Sequence, residues 1–193
     1  MKTVRFRTLQ QGMALISALL LLLVLTMLGV GMFRSFGLQE HIAGNTRERQ
    51  RALHAAESAQ SYAEWWVASD NGVNATSGTS CTGVVTAPMV CSNLINNVTT
   101  VPWPIAVQFK PPAMNIGNAG ILNDYASSPE FYLTFLAGAY YKTSGTQINS
   151  YQVDATGYGG TTNAVAVVES DFSVAVTYTG GTTNSKYVSL GGP

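Results

Sequence analysis

An uncharged run of 21 residues near the start of the chain, residues 13–33, limits what this protein can fold into. Only two side chains within it, Ser17 and Thr26, are polar. As an α-helix the run would extend about 31 Å, which matches the hydrocarbon core of a bilayer at roughly 30 Å. The run therefore predicts a helix that crosses a membrane.

A short basic segment, residues 1–12, precedes the apolar run and holds Lys2, Arg5 and Arg7 without any acidic residue. By the positive-inside rule, this segment predicts a cytoplasmic N-terminus and an extracytoplasmic C-terminal part. An ordinary secretory signal has a shorter apolar core followed by a small-residue cleavage site, and the chain has neither. Two interpretations remain: a simple membrane anchor, or cleavage after Gly12 that leaves the whole apolar segment on the mature protein.

The helical pattern continues past the apolar run. Between residues 34 and 69, apolar side chains recur mostly at three- and four-residue steps, and no proline interrupts this part of the chain. The pattern predicts one near-continuous helix over residues 13–69, about 85 Å long, whose Ala-rich part from Ala52 onward packs closely on a sheet. We expect Glu48 and Arg51 to lie on a solvated face, with a contact to another subunit as the alternative.

Residues 70–193 form a predicted extracytoplasmic head. They are rich in Gly, Thr, Ser, Asn, Val and Tyr and hold only nine of the twenty charged residues, which favours short strands and turns over a nucleic-acid-binding surface. With the helix on one face, this predicts an α+β fold with an antiparallel sheet. The predicted strands are residues 103–109, 131–135, 151–157 and 164–168, with 170–178 as a fifth strand or a continuation, 157–163 as a hairpin turn, and 70–88 and 113–129 as loops.

The two cysteines, Cys81 and Cys91, lie in a neutral stretch rich in Ser, Thr and Gly, with no histidine nearby. A zinc site would need more ligands close by. We therefore favour a disulfide that closes a short loop over two free thiols, and a disulfide implies an oxidising compartment.

Side chains suited to catalysis or metal binding are sparse. His41 and His54, the only histidines, both fall in the predicted helix, where we expect them to be exposed. A Ser–His–Asp arrangement on the head has no histidine to use. Asp154, Glu169 and Asp171 offer oxygens for calcium but lack a calcium-loop pattern. We expect no enzyme activity, no cofactor and no metal.

The aromatic side chains are interpreted as core or interface residues rather than as a sugar-binding platform. The aromatic residues concerned are Trp65, Trp66, Trp103, Tyr140 and Tyr141.

The glycine-rich Gly157-Tyr-Gly-Gly segment lacks the lysine of a phosphate loop.

Residues 10–66 resemble the N-terminal region of the PilX family of minor type IV pilins. The resemblance is carried by Gly12-Met-Ala-Leu-Ile, by the Leu-rich stretch through Gly29, and most specifically by Ala43-Gly44-Asn45 with Arg47, Arg49 and Ala55-Ala56-Glu57 in register. A weaker resemblance returns over residues 151–168. The resemblance implies a type IV pilin fold, in which a long N-terminal helix packs with its second half against an antiparallel sheet.

The same resemblance implies that prepilin peptidase cleaves after Gly12 and that Met13 is then N-methylated. It divides the chain into a leader (1–12), a transmembrane and assembly helix (13–33), an amphipathic continuation (34–69) and a head domain (70–193). The protein is then expected in the bacterial inner membrane, with a cytoplasmic N-terminus and a periplasmic head, and afterwards at the cell surface in the pilus.

One departure from the general pilin pattern concerns Ser17. Most pilins carry Glu at the fifth residue of the mature chain, where it is thought to pair with the methylated amine of a neighbouring subunit. The K-type pseudopilin of type II secretion also lacks this Glu and is placed at the tip. By that analogy Ser17 favours a tip or priming position, whereas Ser is otherwise an ordinary helix-packing residue in membranes.

The function that the resemblance implies is that of a minor type IV pilin, which primes pilus assembly or sits in the tip complex and supports adhesion, twitching motility or aggregation. The expected partners are other minor pilins, the major pilin, the inner-membrane assembly platform and, as a further candidate, a large tip adhesin. One alternative is a K-type pseudopilin of type II secretion, whose head usually carries a large helical insertion. The other is a membrane-anchored extracytoplasmic binding protein or enzyme.

Overall fold

The computed structural model describes residues 11–71, 78–83, 85–117, 124–179 and 182–187 of the chain. Helix α1, Gln11–Trp66, has 56 residues and passes into a single π-helical turn, Val67–Asn71. The long helix predicted from the periodicity and the absence of proline is therefore present. The predicted leader lies mostly outside the described residues, because the description begins at residue 11.

The chain divides into two compact units, residues 1–46 and 47–193. The described part of the first unit is helical and carries the apolar run. α1 is the one helix among the described residues that is long and apolar enough to cross a membrane, and none of its most apolar window is buried. This agrees with a membrane-spanning segment by length and composition.

The second unit contains a sheet of six strands with the order β1-β3-β4-β5-β6, and β2 also pairs with β3. Strands β3 to β6 form an antiparallel meander, while β1 runs parallel to β3. The strands are β1 Val90–Cys91, β2 Val107–Gln108, β3 Glu130–Tyr141, β4 Thr146–Tyr158, β5 Val165–Thr179 and β6 Thr182–Tyr187. With the C-terminal part of α1 against one face, this is the α+β arrangement that the sequence predicts.

The main core lies between the sheet and the C-terminal part of α1. Side chains alternate between the two faces along each strand, so that every second side chain packs against the helix. The helix contributes small residues to this contact. At Gly157 a Cβ atom would lie only 2.8 Å from the backbone carbon of Ala55, so the helix backbone touches the strand backbone. The buried residues of this core include Ala59, Ala63, Val67, Phe131, Leu133, Tyr151, Val153, Ala155, Phe172 and Val174.

The opposite face of the sheet is covered by the loop that contains the cysteines. Tyr132, Cys81 and Cys91 form a second, smaller buried cluster there. The Tyr132 hydroxyl donates to the backbone carbonyl of Asn93 at 2.7 Å, which attaches the loop to β3. The sheet is therefore buried on both faces near its centre.

The strand boundaries differ from the sequence prediction. β3 and β4 are longer than the predicted segments 131–135 and 151–157. The strand predicted over residues 103–109 shrinks to β2, since Pro104 lies in a turn. The segments predicted at 164–168 and 170–178 form one strand, β5, which confirms the alternative that the second segment continues the first. β1 and β6 are not predicted from the sequence. β1 is only two residues long, and the sequence of β6, Thr-Thr-Asn-Ser-Lys-Tyr, has no apolar alternation.

Candidate functional site

The N-terminal part of α1 presents an apolar surface without free hydroxyl donors. Ser17 Oγ donates to the carbonyl of Ala14 at 3.0 Å, and Thr26 Oγ1 donates to that of Leu23 at 2.8 Å. Both polar groups are thus satisfied within their own helix. The segment can lie in lipid, or against other apolar helices, without burying an unpaired hydroxyl.

The large apolar side chains of this segment are exposed around the whole helix. Their exposed fractions run from 51% at Leu23 to 78% at Phe33. A helix that is apolar all round belongs in a membrane or in the interior of an assembly. Gly12 lies at the second residue of α1, and Met13, which follows it, is 75% exposed.

A charged cluster joins α1 to the turn between β4 and β5 within the second unit. Arg51 Nη1 donates to Glu48 Oε1 at 3.0 Å, and Arg51 Nη2 donates to the carbonyl of Asp124 at 2.6 Å. The guanidinium also lies 4.7 Å from the ring centroid of Tyr125. Glu48 Oε2 accepts a short hydrogen bond from the N–H of Gly160. We call these five residues the Arg51 clamp.

The Arg51 clamp corrects the expectation that Glu48 and Arg51 lie on a solvated face. The side chains of Arg51 and Glu48 are only 15% and 29% exposed. A Cβ atom on Gly160 would lie 2.9 Å from Arg51 Nη1, so the glycine of the turn makes room for the guanidinium. This contact could not be predicted from the sequence, because Glu48 and Gly160 are separated by 112 positions along the chain.

The disulfide between Cys81 and Cys91 is present, with a Cα–Cα distance of 5.6 Å. The side chain of Asn93 accepts from the N–H of Cys81 at 2.7 Å and donates to the Cys81 carbonyl at 3.0 Å. Together with the bond from Tyr132 to Asn93, these contacts fix the loop to the back of the sheet. The role of the disulfide is therefore to hold a segment that has little regular structure.

Two buried carboxylates occupy the same face of the sheet as Tyr132. Among the described residues, Asp154 Oδ2 and Glu130 Oε2 are buried oxygens without a hydrogen-bond partner. Burial, together with the nearby carboxylates of Glu169 and Asp171, raises the pKa of Asp154 to about 6, although the hydrogen bond from Gln152 lowers it. Burial likewise raises the pKa of the Glu130 carboxyl.

The three residues considered for calcium are close in the sheet but do not form a metal centre. Asp154 pairs with Glu169 across β4 and β5, and Asp171 pairs with Gln152. Within the described ranges, no group of three or more His, Cys, Asp or Glu side chains could hold a metal ion. On the exposed side of α1, His54 Nδ1 lies 3.1 Å from Glu57 Oε2.

The aromatic residues separate into two groups. Trp103 is 4% exposed, and its indole N–H donates to the carbonyl of Val98 at 3.0 Å. Trp66 is partly buried against the main core. Tyr140, Tyr141 and Trp65 are more than half exposed, so they are not core residues, and their interpretation as interface aromatics stays a prediction. One aromatic that the sequence analysis missed is Tyr62, which stacks on Phe109 with 4.2 Å between ring centroids and covers the core edge.

The long N-terminal helix with an apolar first part and a second part packed on an antiparallel sheet is the α+β architecture of type IV pilins. Residues 11–59, about a quarter of the chain, match the family model described as PilX N-terminal. This part of the protein is thus similar to the N-terminal region of PilX-like type IV pilins. The match contains Gly12, Met13 and Ser17 and stops within α1. No curated protein and no solved structure matches the chain.

Proposed function

We propose that this protein is a minor type IV pilin, a structural subunit rather than an enzyme, which primes pilus assembly or sits in the tip complex. The observation that carries the proposal is the PilX-like segment over residues 11–59, which begins with a helix whose apolar side chains are exposed on all sides. Such a surface needs lipid before assembly and apolar neighbours afterwards.

Assembly on this proposal begins with removal of the leader, residues 1–12. Prepilin peptidase cleaves after Gly12, and Met13 becomes the methylated N-terminus. Residues 13–33 then move from the inner membrane into the apolar interior of a filament. The transfer exchanges one apolar environment for another, so it costs little hydrophobic free energy, and extension and retraction are both feasible.

Ser17 supports a place at the tip. A carboxylate at this position would be costly in lipid unless a neighbouring subunit paired with it. Ser17 is already satisfied by the Ala14 carbonyl, so the helix carries no charge that requires an earlier subunit. We propose that this subunit contacts the inner-membrane assembly platform and that other minor pilins and the major pilin are added beneath it. A large tip adhesin is a further proposed partner of the head.

The K-type pseudopilin alternative predicts a large helical insertion in the head. The described parts of residues 78–187 contain strands, turns and loops and no α-helix. This favours a pilus subunit over a K-type pseudopilin. A role in adhesion, twitching motility or aggregation follows from membership in a pilus and is part of the proposal.

N-terminal sequencing of the mature protein tests the processing step. In cells with prepilin peptidase, we expect a methylated Met13, and we expect Gly12→Val to retain the leader and to be absent from sheared pili. Gly29→Ala is the matched control, since a Cβ at Gly29 meets nothing within 4 Å and lies beyond the cleavage site. An uncleaved wild-type chain with a functional head would instead support an anchored binding protein or enzyme.

Labelling of the head tests the position in the pilus. Gold particles bound to an epitope on the head should mark pilus ends. Labels distributed along the shaft would contradict the tip position while leaving the pilin proposal intact.

A further inference from the structure

A cavity of about 390 Å³ lies in the second unit, between β2, the start of β3 and the loop segments at residues 85–86 and 103–106. It is lined by buried residues, Trp103, Ala106 and Glu130, and by exposed residues, Thr86, Pro104 and Gln108. Cavities that bind small molecules in proteins have volumes from roughly 300 Å³ upward, so this cavity is large enough to hold a ligand.

The carboxyl group of Glu130 is the one charged group in the lining of the cavity. Glu130 is 5% exposed, and its Oε2 has no hydrogen-bond partner in the described part of the chain. Neither of the ion pairs between described residues includes it. Burial raises the pKa of this carboxyl, although hydrogen bonds from Gln108 and the backbone of Trp103 lower it. A buried oxygen without a partner costs free energy, which a bound donor would recover.

The other carboxyl oxygen of Glu130 is held only weakly. Gln108 lies directly opposite Glu130 in the register of β2 and β3, and Gln108 Nε2 lies 3.5 Å from Glu130 Oε1. A hydrogen bond of that length contributes little. Because Gln108 is exposed, its side chain can rotate outward and leave the carboxylate to a stronger donor.

We propose that this cavity binds a primary ammonium group on an unbranched alkyl stem, with Glu130 as its counter-ion. The lining selects a cation, since it holds one acidic side chain and no basic one. An ammonium group donates charge-assisted hydrogen bonds, which are stronger than the bond from Gln108. Val85, Pro104 and Ala106 supply apolar surface for the stem.

Two other ligand classes fit the cavity less well. Trp103 is only 4% exposed and its indole N–H donates to the carbonyl of Val98, so its ring offers little surface on which a sugar could stack. A guanidinium group binds best to both oxygens of a carboxylate at once and needs a wide approach. Glu130 Oε2 is buried, and a narrow ammonium group suits it better.

Titration of the purified full chain in a nonionic detergent tests the site. The probe is n-pentylamine at about pH 7, where the amine is protonated. Binding is followed by the NMR shifts of the Gln108 side-chain amide and the Trp103 indole N–H at constant ionic strength. We expect a dissociation constant on the order of 1 mM for so small a ligand. Glu130→Gln should weaken binding by about 10-fold or more, since the charged partner is lost. Asp171→Asn removes an exposed carboxylate on β5 and should bind like the wild type.

Two further comparisons separate charge from shape. 1-Pentanol has the same stem without the charge and should cause no saturable shift. Thr86→Phe, at an exposed lining position, should block pentylamine without replacing a core residue, whereas Thr82→Phe, exposed outside the lining, should not. Equal affinity of the wild type and Glu130→Gln, equal affinity for the alcohol, unchanged binding by Thr86→Phe, or no saturable shift in the wild type would overturn the proposal.

The ammonium group can come from a free aliphatic amine or from a lysine side chain of another protein. Titrations with 1,5-diaminopentane and with the peptide acetyl-Gly-Lys-Gly-amide distinguish these sources. Tighter binding of the diamine would assign the site to free amines, and tighter binding of the peptide would assign it to lysine; both results support an ammonium site. The measurement requires neither leader cleavage nor a pilus, so the proposed function can fail without affecting its outcome.

Discussion

Arg51 lies with its guanidinium 4.7 Å from the ring centroid of Tyr125 and donates to the backbone carbonyl of the adjacent Asp124 at 2.6 Å. The helix supplies the cation, and the segment just before β3 supplies both the ring and the carbonyl. One side chain therefore links two layers of the second unit. Glu48 neutralises this charge within the same contact and binds the turn at Gly160.

Removal of the cation should leave the Glu48 carboxylate poorly compensated. We expect Arg51→Ala to lower the free energy of unfolding by about 2–3 kcal/mol, since a partly buried charge loses its partner. Arg51→Lys should recover part of the loss, because lysine keeps the charge but not the planar group over Tyr125. Urea unfolding of the full chain in detergent measures both. Equal stability of the alanine variant and the wild type would show that the clamp is only a surface pair.

A side chain at Gly157 should separate the helix from the sheet. Its Cβ would lie 2.8 Å from the backbone carbon of Ala55, and backbone atoms cannot move aside singly. We expect Gly157→Ala to cost about 3 kcal/mol or more of unfolding free energy. Gly83→Ala is the control, since a Cβ atom at Gly83 would meet nothing within 4 Å. The unfolding midpoint of this variant should barely differ from that of the wild type. A neutral Gly157→Ala variant would contradict the backbone contact.

The buried carboxyl of Asp154 should make stability depend on pH. Its pKa is about 6 in the folded protein against an ordinary value of 3.8, so the folded state binds the proton more tightly than the unfolded state. The free energy of unfolding should therefore rise as the pH falls from 7 through 6 towards 4, by at most about 3 kcal/mol for a shift of this size. Glu130 contributes in the same direction, since its pKa is also raised.

Asp154→Asn isolates this effect. The variant should be more stable than the wild type at pH 7, and the difference should disappear near pH 4, where the wild-type carboxyl is protonated. Asp171→Asn, at an exposed position on β5, should retain most of the pH dependence. Chemical unfolding at several pH values supplies the comparison. A wild type whose stability is constant between pH 4 and 7 would refute the raised pKa.

Loss of the disulfide should loosen the loop behind the sheet. We expect the double variant Cys81→Ser, Cys91→Ser to lose about 2–3 kcal/mol of unfolding free energy, because the unfolded chain gains freedom. Hydrogen exchange should increase most around Asn93, whose side chain bonds both backbone groups of Cys81. Thr82→Ser, at an exposed position within the same loop, is the matched control. Unchanged exchange at Asn93 would mean that the loop is held by β3 alone.

The long helix and the α+β class could be predicted because both depend on patterns within short windows. The apolar run fixes its own length, and the alanines from Ala52 onward indicate close packing without any knowledge of the partner strand. The disulfide followed from the spacing and surroundings of Cys81 and Cys91. The resemblance of residues 10–66 to PilX-like pilins rested on the same local information.

Contacts between segments that are distant in the sequence could not be predicted. Glu48 and Arg51 read as an exposed helical pair because their partners, Asp124, Tyr125 and Gly160, come much later in the chain. The two strands that were missed are held by pairing rather than by an apolar pattern of their own. Tyr140 likewise is interpreted from the sequence as a core or interface aromatic, and its exposure depends on which distant segments cover that part of β3.

The contact of Gly157 with the helix backbone fixes the rotation of residues 47–66 about the helix axis. A turn of about 100°, one residue step, would direct Leu53 or Glu57 into the space that only alanine fits. Which side chains face outward is therefore set by steric exclusion at Gly157 as well as by the Arg51 clamp. His54, Glu57 and Trp65 can consequently change in evolution, and acquire new partners, without altering how the helix sits on the sheet.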